Sequence, residues 1–311
     1  MKSIHIFCFV LFIGLVSCEP DKNAMDDLLD GEIIFDASLY KPEEFLVSEK
    51  YPSPTASDLE KHILIAVHGY SASTFEWQEF QDWTDTTGNY RVSQVLLDGH
   101  GRTYDDFKNA TWRDWKSAIT REYEALEALG YTKISLVGSS TGGPLILEMV
   151  SSGYFQSHVN PKNIFLVDPI VVSAIKAQSV AEIIGPMLGY VTSDVDGDEK
   201  KYWYTYRPHE TVTQLNTLMR EVRGDLESGY NLPQDTYLKS YHSVNDPTAS
   251  SASTVLIYKG LKTYTGNAID AEIIPLDIHV FTRLELRENV TDEQRKYQLH
   301  AFEEMANRLN K

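Results

Sequence analysis

Short apolar runs alternate with longer amphipathic stretches along most of this chain. Residues 62–67 (HILIAV) form an unbroken apolar run that stops at His68-Gly69, the pattern of a strand buried on both faces. Residues 90–97 (YRVSQVLL) repeat it and stop at Asp98-Gly99-His100-Gly101. Residues 133–137 (KISLV), 163–168 (NIFLVD) and 237–241 (YLKSY) read the same way. Between these runs the spacing lengthens. Over residues 109–129, Trp112, Trp115, Ile119, Tyr123, Leu126 and Leu129 recur every three or four positions, which predicts a helix ended by Gly130. Residues 145–150 belong to another helix, and residues 292–309 to the last. Strands separated by helices predict an α/β fold: a mainly parallel central sheet with helices on both faces.

One stretch breaks the rhythm. Residues 171–230 hold Gly185-Pro186, the acidic run 194–199 and the aromatic cluster Tyr202-Trp203-Tyr204-Tyr206. This is too long for an ordinary loop between strands. An inserted lid is expected there, the plainer alternative being an extra helical layer.

The N-terminus follows a different pattern. After Lys2, residues 4–16 (IHIFCFVLFIGLV) are apolar except for His5, too short a run to span a bilayer but suited to a signal peptide. The run ends in Leu15-Val16-Ser17-Cys18, which resembles a bacterial lipobox. On that reading residues 1–17 are a lipoprotein signal, Cys18 becomes the acylated N-terminus, and residues 18–30 (CEPDKNAMDDLLD) are a polar tether. The protein would then be lipid-anchored in a bacterial cell envelope; with a plain signal it would be secreted or periplasmic.

Composition narrows the classes. The chain has 311 residues, 42% of them hydrophobic, so it folds. Its formal net charge of -17 excludes an electrostatic nucleic-acid binder, and an anionic membrane would repel the body without an anchor. The two cysteines, Cys8 and Cys18, both lie at the extreme N-terminus, so the rest of the chain holds neither a disulfide nor a cysteine zinc site.

The candidate chemistry lies where 133–137 runs into Gly138-Ser139-Ser140-Thr141-Gly142-Gly143. This is G-x-S-x-G between a strand and a helix, a strained turn that projects a serine hydroxyl, and Ser140 is the candidate nucleophile. A glycine-rich phosphate turn is the plainer alternative, although the lysine of a P-loop is missing. Oxyanion donors in such a turn are the N–H of the next residue, Thr141, and one from the loop after an earlier strand. His68-Gly69-Tyr70-Ser71 supplies that loop, with the Tyr70 N–H as donor and His68 as a structural hydrogen-bonder.

These motifs together carry a resemblance. His68-Gly69 after a strand, LLDGHG (96–101), Asp105-Asp106, Thr111-Trp112-Arg113-Asp114-Trp115 and VGSSTGG (137–143) resemble the α/β-hydrolases of the bacterial carboxylesterase and monoacylglycerol lipase (serine aminopeptidase-like) type, over about residues 60–309. Two departures stand out: Asp98 replaces the usual proline before G-H-G, and no glycine precedes the candidate histidine. The resemblance implies one α/β-hydrolase domain over 31–311, with a lid at about 171–230. It also implies the order serine, acid, histidine. Of the histidines after Ser140, His279 lies in a loop between an edge strand and the last helix and is the expected base. His158, His209, His242 and His300 fall elsewhere, His300 inside the last helix. Asp246, in the loop after 237–242, is the expected acid, with Asp168 as the alternative.

The implied activity is hydrolysis of carboxylic esters, such as monoacylglycerols or short-chain esters, through an acyl-enzyme. No metal, cofactor or protein partner is called for; the partners are an ester substrate and a membrane reached through Cys18. Ile183, Ile184, Met187, Leu188 and residues 202–206 are candidates for an acyl pocket. An aminopeptidase-like peptidase and a non-catalytic binding lipoprotein are the alternatives.

Overall fold

A computed structural model describes residues 41–87, 89–175, 189–192 and 197–311. Cys18, the signal and the tether lie outside the described residues, as do Ile183, Ile184, Gly185, Pro186, Met187 and Leu188.

Six strands form one sheet: β1 (His62–Val67), β2 (Tyr90–Val95), β3 (Ile134–Ser139), β4 (Asn163–Val167), β5 (Tyr237–Ser243) and β6 (Asp270–Ile274). Their order is β6-β5-β4-β3-β1-β2, and every pairing is parallel. The expected α/β-hydrolase architecture is present. Strand period explains the two cores. Ile63, Ile65 and Val67 of β1 point into one, with Trp115, Tyr123 and Leu126. Leu64 and Ala66 point into the other, with Phe80, Phe302 and Met305.

Helices α1 (Gln78–Thr87), α2 (Tyr104–Asn109), α3 (Trp112–Ala128) and α4 (Gly142–Ser151) precede the insertion; α5 (His209–Ser228), α6 (Ala252–Gly260) and α7 (Asp292–Leu309) follow. The helix expected over 109–129 begins later. Thr111 caps α3 by accepting from the Asp114 N–H at 3.3 Å, while Asp114 Oδ2 accepts from the Thr111 N–H at 2.8 Å. Asn109 instead ends α2, which Thr103 caps. Strand β2 stops at Val95 because the Leu97 N–H turns away from the sheet and donates to His68 Nε2 at 3.1 Å.

Inside the expected insertion, 190–192 and 206–208 pair as a short antiparallel ribbon that leads into α5. Val212, Leu215, Met219, Val222 and Leu226 make one buried face of α5, which packs on α2, α3, α4 and α6. These residues form a helical layer over α4. Tyr204 fastens the segment to the site: its hydroxyl accepts from the Arg102 N–H at 2.9 Å, and its own N–H donates to Ser71 O at 2.9 Å.

Candidate active site

The register brings the carboxyl ends of the strands level, with Val67 opposite Gly138, Ser139 opposite Val167, and Val167 opposite Tyr241. Their loops therefore open on one crevice, the usual ligand position of an open parallel sheet. Four residues at these ends have left-handed backbones: Ser71 (φ 59°), Ser140 (φ 47°), Asp168 (φ 45°) and Val280 (φ 54°). None is glycine, and Val280 is β-branched, so each stores strain beside the site.

The glycines of G-x-S-x-G are required by close approach. A Cβ on Gly138 would lie 2.5 Å from Gly142 C, and one on Gly142 would lie 2.5 Å from Val67 O. The turn can therefore fold back on β1 and lift Ser140 onto the crevice.

Ser140, His279 and Asp246 meet there. His279 Nε2 lies 2.9 Å from Ser140 Oγ, and its Nδ1 lies 2.7 Å from Asp246 Oδ2. With a proton on Nδ1, the ring donates to the carboxylate and accepts from the serine hydroxyl. The other carboxyl oxygen, Asp246 Oδ1, accepts from the N–H groups of Thr248 (2.7 Å) and Ala249 (2.9 Å), which fixes the side chain. Arg287 Nη2 donates to His279 O at 2.5 Å and steadies the histidine loop.

Asp168, the alternative acid, is also fully buried, but its oxygens go elsewhere. Oδ1 accepts from the Ser243 N–H at 2.6 Å and Oδ2 from the Phe281 N–H at 3.2 Å. Burial, and then the neighbouring Asp246 charge, push its pKa up. Asp277 is exposed. His242 stands next to both aspartates with its ring engaged: Nε2 donates to Ala249 O at 3.0 Å, and Nδ1 faces Thr254 Oγ1 at 3.1 Å. His300 lies on α7, within 3.4 Å of Glu272 and Glu304.

The loop after β1 reaches Ser140 from the other side. A Cβ on Gly69 would lie 2.9 Å from Ser140 Cβ, so only glycine lets the two backbones come together. Among the described residues, the N–H groups of Tyr70 and Thr141 have no acceptor. His68 is buried, with Nδ1 on Gly69 O at 2.8 Å and Nε2 on the Leu97 N–H; burial lowers its pKa to about 4. It is thus a neutral fastener of the loop. Glu76 does similar work and escaped the sequence reading. Its buried Oε1 accepts from the Gly69 N–H at 2.7 Å and from the Ser139 hydroxyl, joining the loop after β1 to the serine turn.

A cavity of about 630 Å³ opens beside Ser140. Ile170, Val191, Trp203, Val212 and Leu215 give it an apolar wall, and Arg207, Arg283 and Arg287 also line it. Of the aromatic cluster, Trp203 faces this cavity, whereas Tyr202 stacks on Phe75 at 3.7 Å and Tyr204 on Phe107 at 4.4 Å. Asp98, at the position of the missing proline, takes a bidentate pair from Arg121 at 2.7 and 2.9 Å.

Residues 57–218 match the family described as "Putative serine esterase (DUF676)". No curated protein sequence matches the chain. Among solved structures, the metagenome-derived lipolytic enzymes LipS and LipT are represented at 17% identity and a TM-score of 0.61, over 79% of this chain and 94% of theirs. The monoglyceride lipase of Saccharomyces cerevisiae, solved with a substrate analogue, aligns at 13% identity and a TM-score of 0.60, over 80% of this chain and 86% of its own. The monoacylglycerol lipase of Paleococcus ferrophilus aligns at 12% identity and a TM-score of 0.61, over 79% and 94%.

Proposed function

Because this chain belongs to the DUF676 serine esterase family, we propose that it hydrolyses carboxylic esters of apolar acyl groups through Ser140, His279 and Asp246. The observation that carries the proposal is the hydrogen-bond chain from Ser140 Oγ through the imidazole to Asp246. His279 Nε2 takes the hydroxyl proton as Ser140 Oγ attacks the acyl carbon. Asp246 holds the tautomer and stabilises the imidazolium without being protonated. The unengaged N–H groups of Tyr70 and Thr141 receive the oxyanion. The imidazolium then returns the proton to the departing alkoxide, and the acyl-enzyme remains. Water, deprotonated by His279, releases the acid and restores Ser140.

The apolar wall of the cavity supports an acyl-binding role, and its size accommodates a monoacylglycerol or a short-chain ester. Protein lacking residues 1–17 is expected to hydrolyse p-nitrophenyl butyrate and to be labelled by a fluorophosphonate, with both properties lost in Ser140→Ala. Labelling that survives this substitution overturns the choice of nucleophile.

Location is a separate proposal. Leu15-Val16-Ser17-Cys18 after the apolar run supports acylation of Cys18, and no helix among the described residues is long and apolar enough to cross a membrane. Bacteria expressing the full chain in radiolabelled palmitate should yield a labelled product, and Cys18→Ser should yield none. Equal labelling of the two rules the anchor out.

A further inference from the structure

The cavity beside Ser140 holds more charge than an apolar acyl group needs, and that charge is unevenly answered. Arg283 is paired: Nη1 donates to Glu199, and the guanidinium lies 4.3 Å over the Trp203 ring. Arg287 donates to His279 O; burial and then the Arg283 charge pull its pKa down to about 10, against the opposing pull of Glu199, Glu76 and Asp168. Asp277 and Glu288 sit on the rim, exposed to water. Arg207 has no such answer among the described residues. No carboxylate or carbonyl among them accepts from it; its Nε is buried without a partner, as are those of Arg283 and Arg287, but unlike theirs its Nη groups also lack an acceptor. The ring of Tyr70 lies 5.6 Å from its guanidinium carbon.

Arg207 is half-buried where it lines the cavity, and with no counter-charge among the described residues burial pulls its pKa down. Its position is nonetheless well fixed. Arg207 lies in the 206–208 ribbon strand, opposite Val191. Four residues on, Thr211 Oγ1 is bonded to the Tyr70 hydroxyl at 2.6 Å. The cation is thus held against the loop whose N–H faces the oxyanion position. A planar fork of donors in such a place matches a carboxylate or phosphate, and a bound anion would remove the penalty.

We propose that Arg207 forms a subsite for an anionic group of the substrate, so that the preferred ester carries a carboxylate or phosphate on the part lying over Tyr70. This rests on the esterase reading above and adds a charge requirement to it.

Two ester pairs test the proposal, one with the charge on the acyl side and one with it on the alcohol side. They are p-nitrophenyl hemiglutarate against p-nitrophenyl valerate, and butyryloxyacetate against ethyl butyrate. The readout is the ratio of kcat/KM, anionic over neutral, taken within each variant so that partial loss of folded enzyme cancels. In the wild type at least one pair should give a ratio of about 10 or more. Arg207→Gln should lower that ratio by about 10- to 100-fold, the range of a charge-assisted hydrogen bond, and Arg207→Lys should restore part of it. A wild-type ratio at or below one for both pairs, or a ratio unmoved by Arg207→Gln, overturns the subsite. Should the wild type turn over none of the four esters, the esterase reading fails and calorimetry with glutarate decides the subsite. Glutarate binding to Ser140→Ala that disappears on adding Arg207→Gln upholds it, and no binding overturns it.

Discussion

The loops that follow β4 and β5 each carry a buried aspartate close to His279, and they use it in opposite ways. Asp168, on the left-handed backbone after β4, gives Oδ1 to the Ser243 N–H and Oδ2 to the Phe281 N–H. It ties the end of β5 to the chain just past His279, with each oxygen already turned to a backbone N–H. Asp246, in the turn after β5, satisfies both of its loop's N–H groups through Oδ1 alone. Oδ2 is thereby left for His279 Nδ1. Each carboxyl accepts from two backbone N–H groups, so what separates the one that holds a loop from the one that can orient a base is their distribution: one on each oxygen of Asp168, both on a single oxygen of Asp246.

Exchanging each carboxyl for an amide puts the greatest stress on that contrast. In Asp246→Asn the group facing Nδ1 no longer stabilises the imidazolium, and an amide donor there favours the wrong tautomer. The expected loss in kcat on p-nitrophenyl butyrate is about 10⁴-fold. Asp168→Asn should stay within about tenfold, because its oxygens face backbone rather than imidazole. Steady-state rates of the two purified variants check this, and the reverse ranking would transfer the acid's role to Asp168.

That contrast also marks how far the chain could be read from sequence. Apolar period located five of the six strands, and the edge strand was inferred before the His279 loop. The serine turn showed itself because close packing demands glycine at Gly138 and Gly142. Ser140 stands out by its G-x-S-x-G turn, and Asp246 and His279 by the order and loop positions that the family resemblance implies; those side chains meet. The resemblance puts Asp246 before Asp168, and the hydrogen-bond partners that distinguish the two leave no trace in sequence. Helix α5 falls under the alternative of an extra helical layer, with no bounds expected for it, although Val212, Leu215, Met219, Val222 and Leu226 carry a helical spacing. Glu76 and Arg207 had no local pattern. One is among 45 acidic residues, the other among 28 basic ones, and each matters through a contact made only by folding.

Stability measures the other half of the contrast on a smaller scale. Asp168→Asn keeps one acceptor and loses the other, leaving a backbone N–H of Ser243 or Phe281 unpaired in a fully buried place. Urea unfolding should show a deficit of about 1–3 kcal/mol. The deficit should also depend on pH with a definite sign. Burial, and then Asp246, raise the folded pKa of Asp168 above its ordinary 3.8. Between that ordinary value and the raised one, the native state keeps a proton that the unfolded chain has released. Wild-type stability from this group therefore falls as pH rises through the window, with a limiting slope of about 1.4 kcal/mol per pH unit. The asparagine has no such titration. The wild-type advantage should accordingly be larger near pH 4 than at pH 8, and an advantage that grows towards alkaline pH would mean Asp168 is stabilised as the anion.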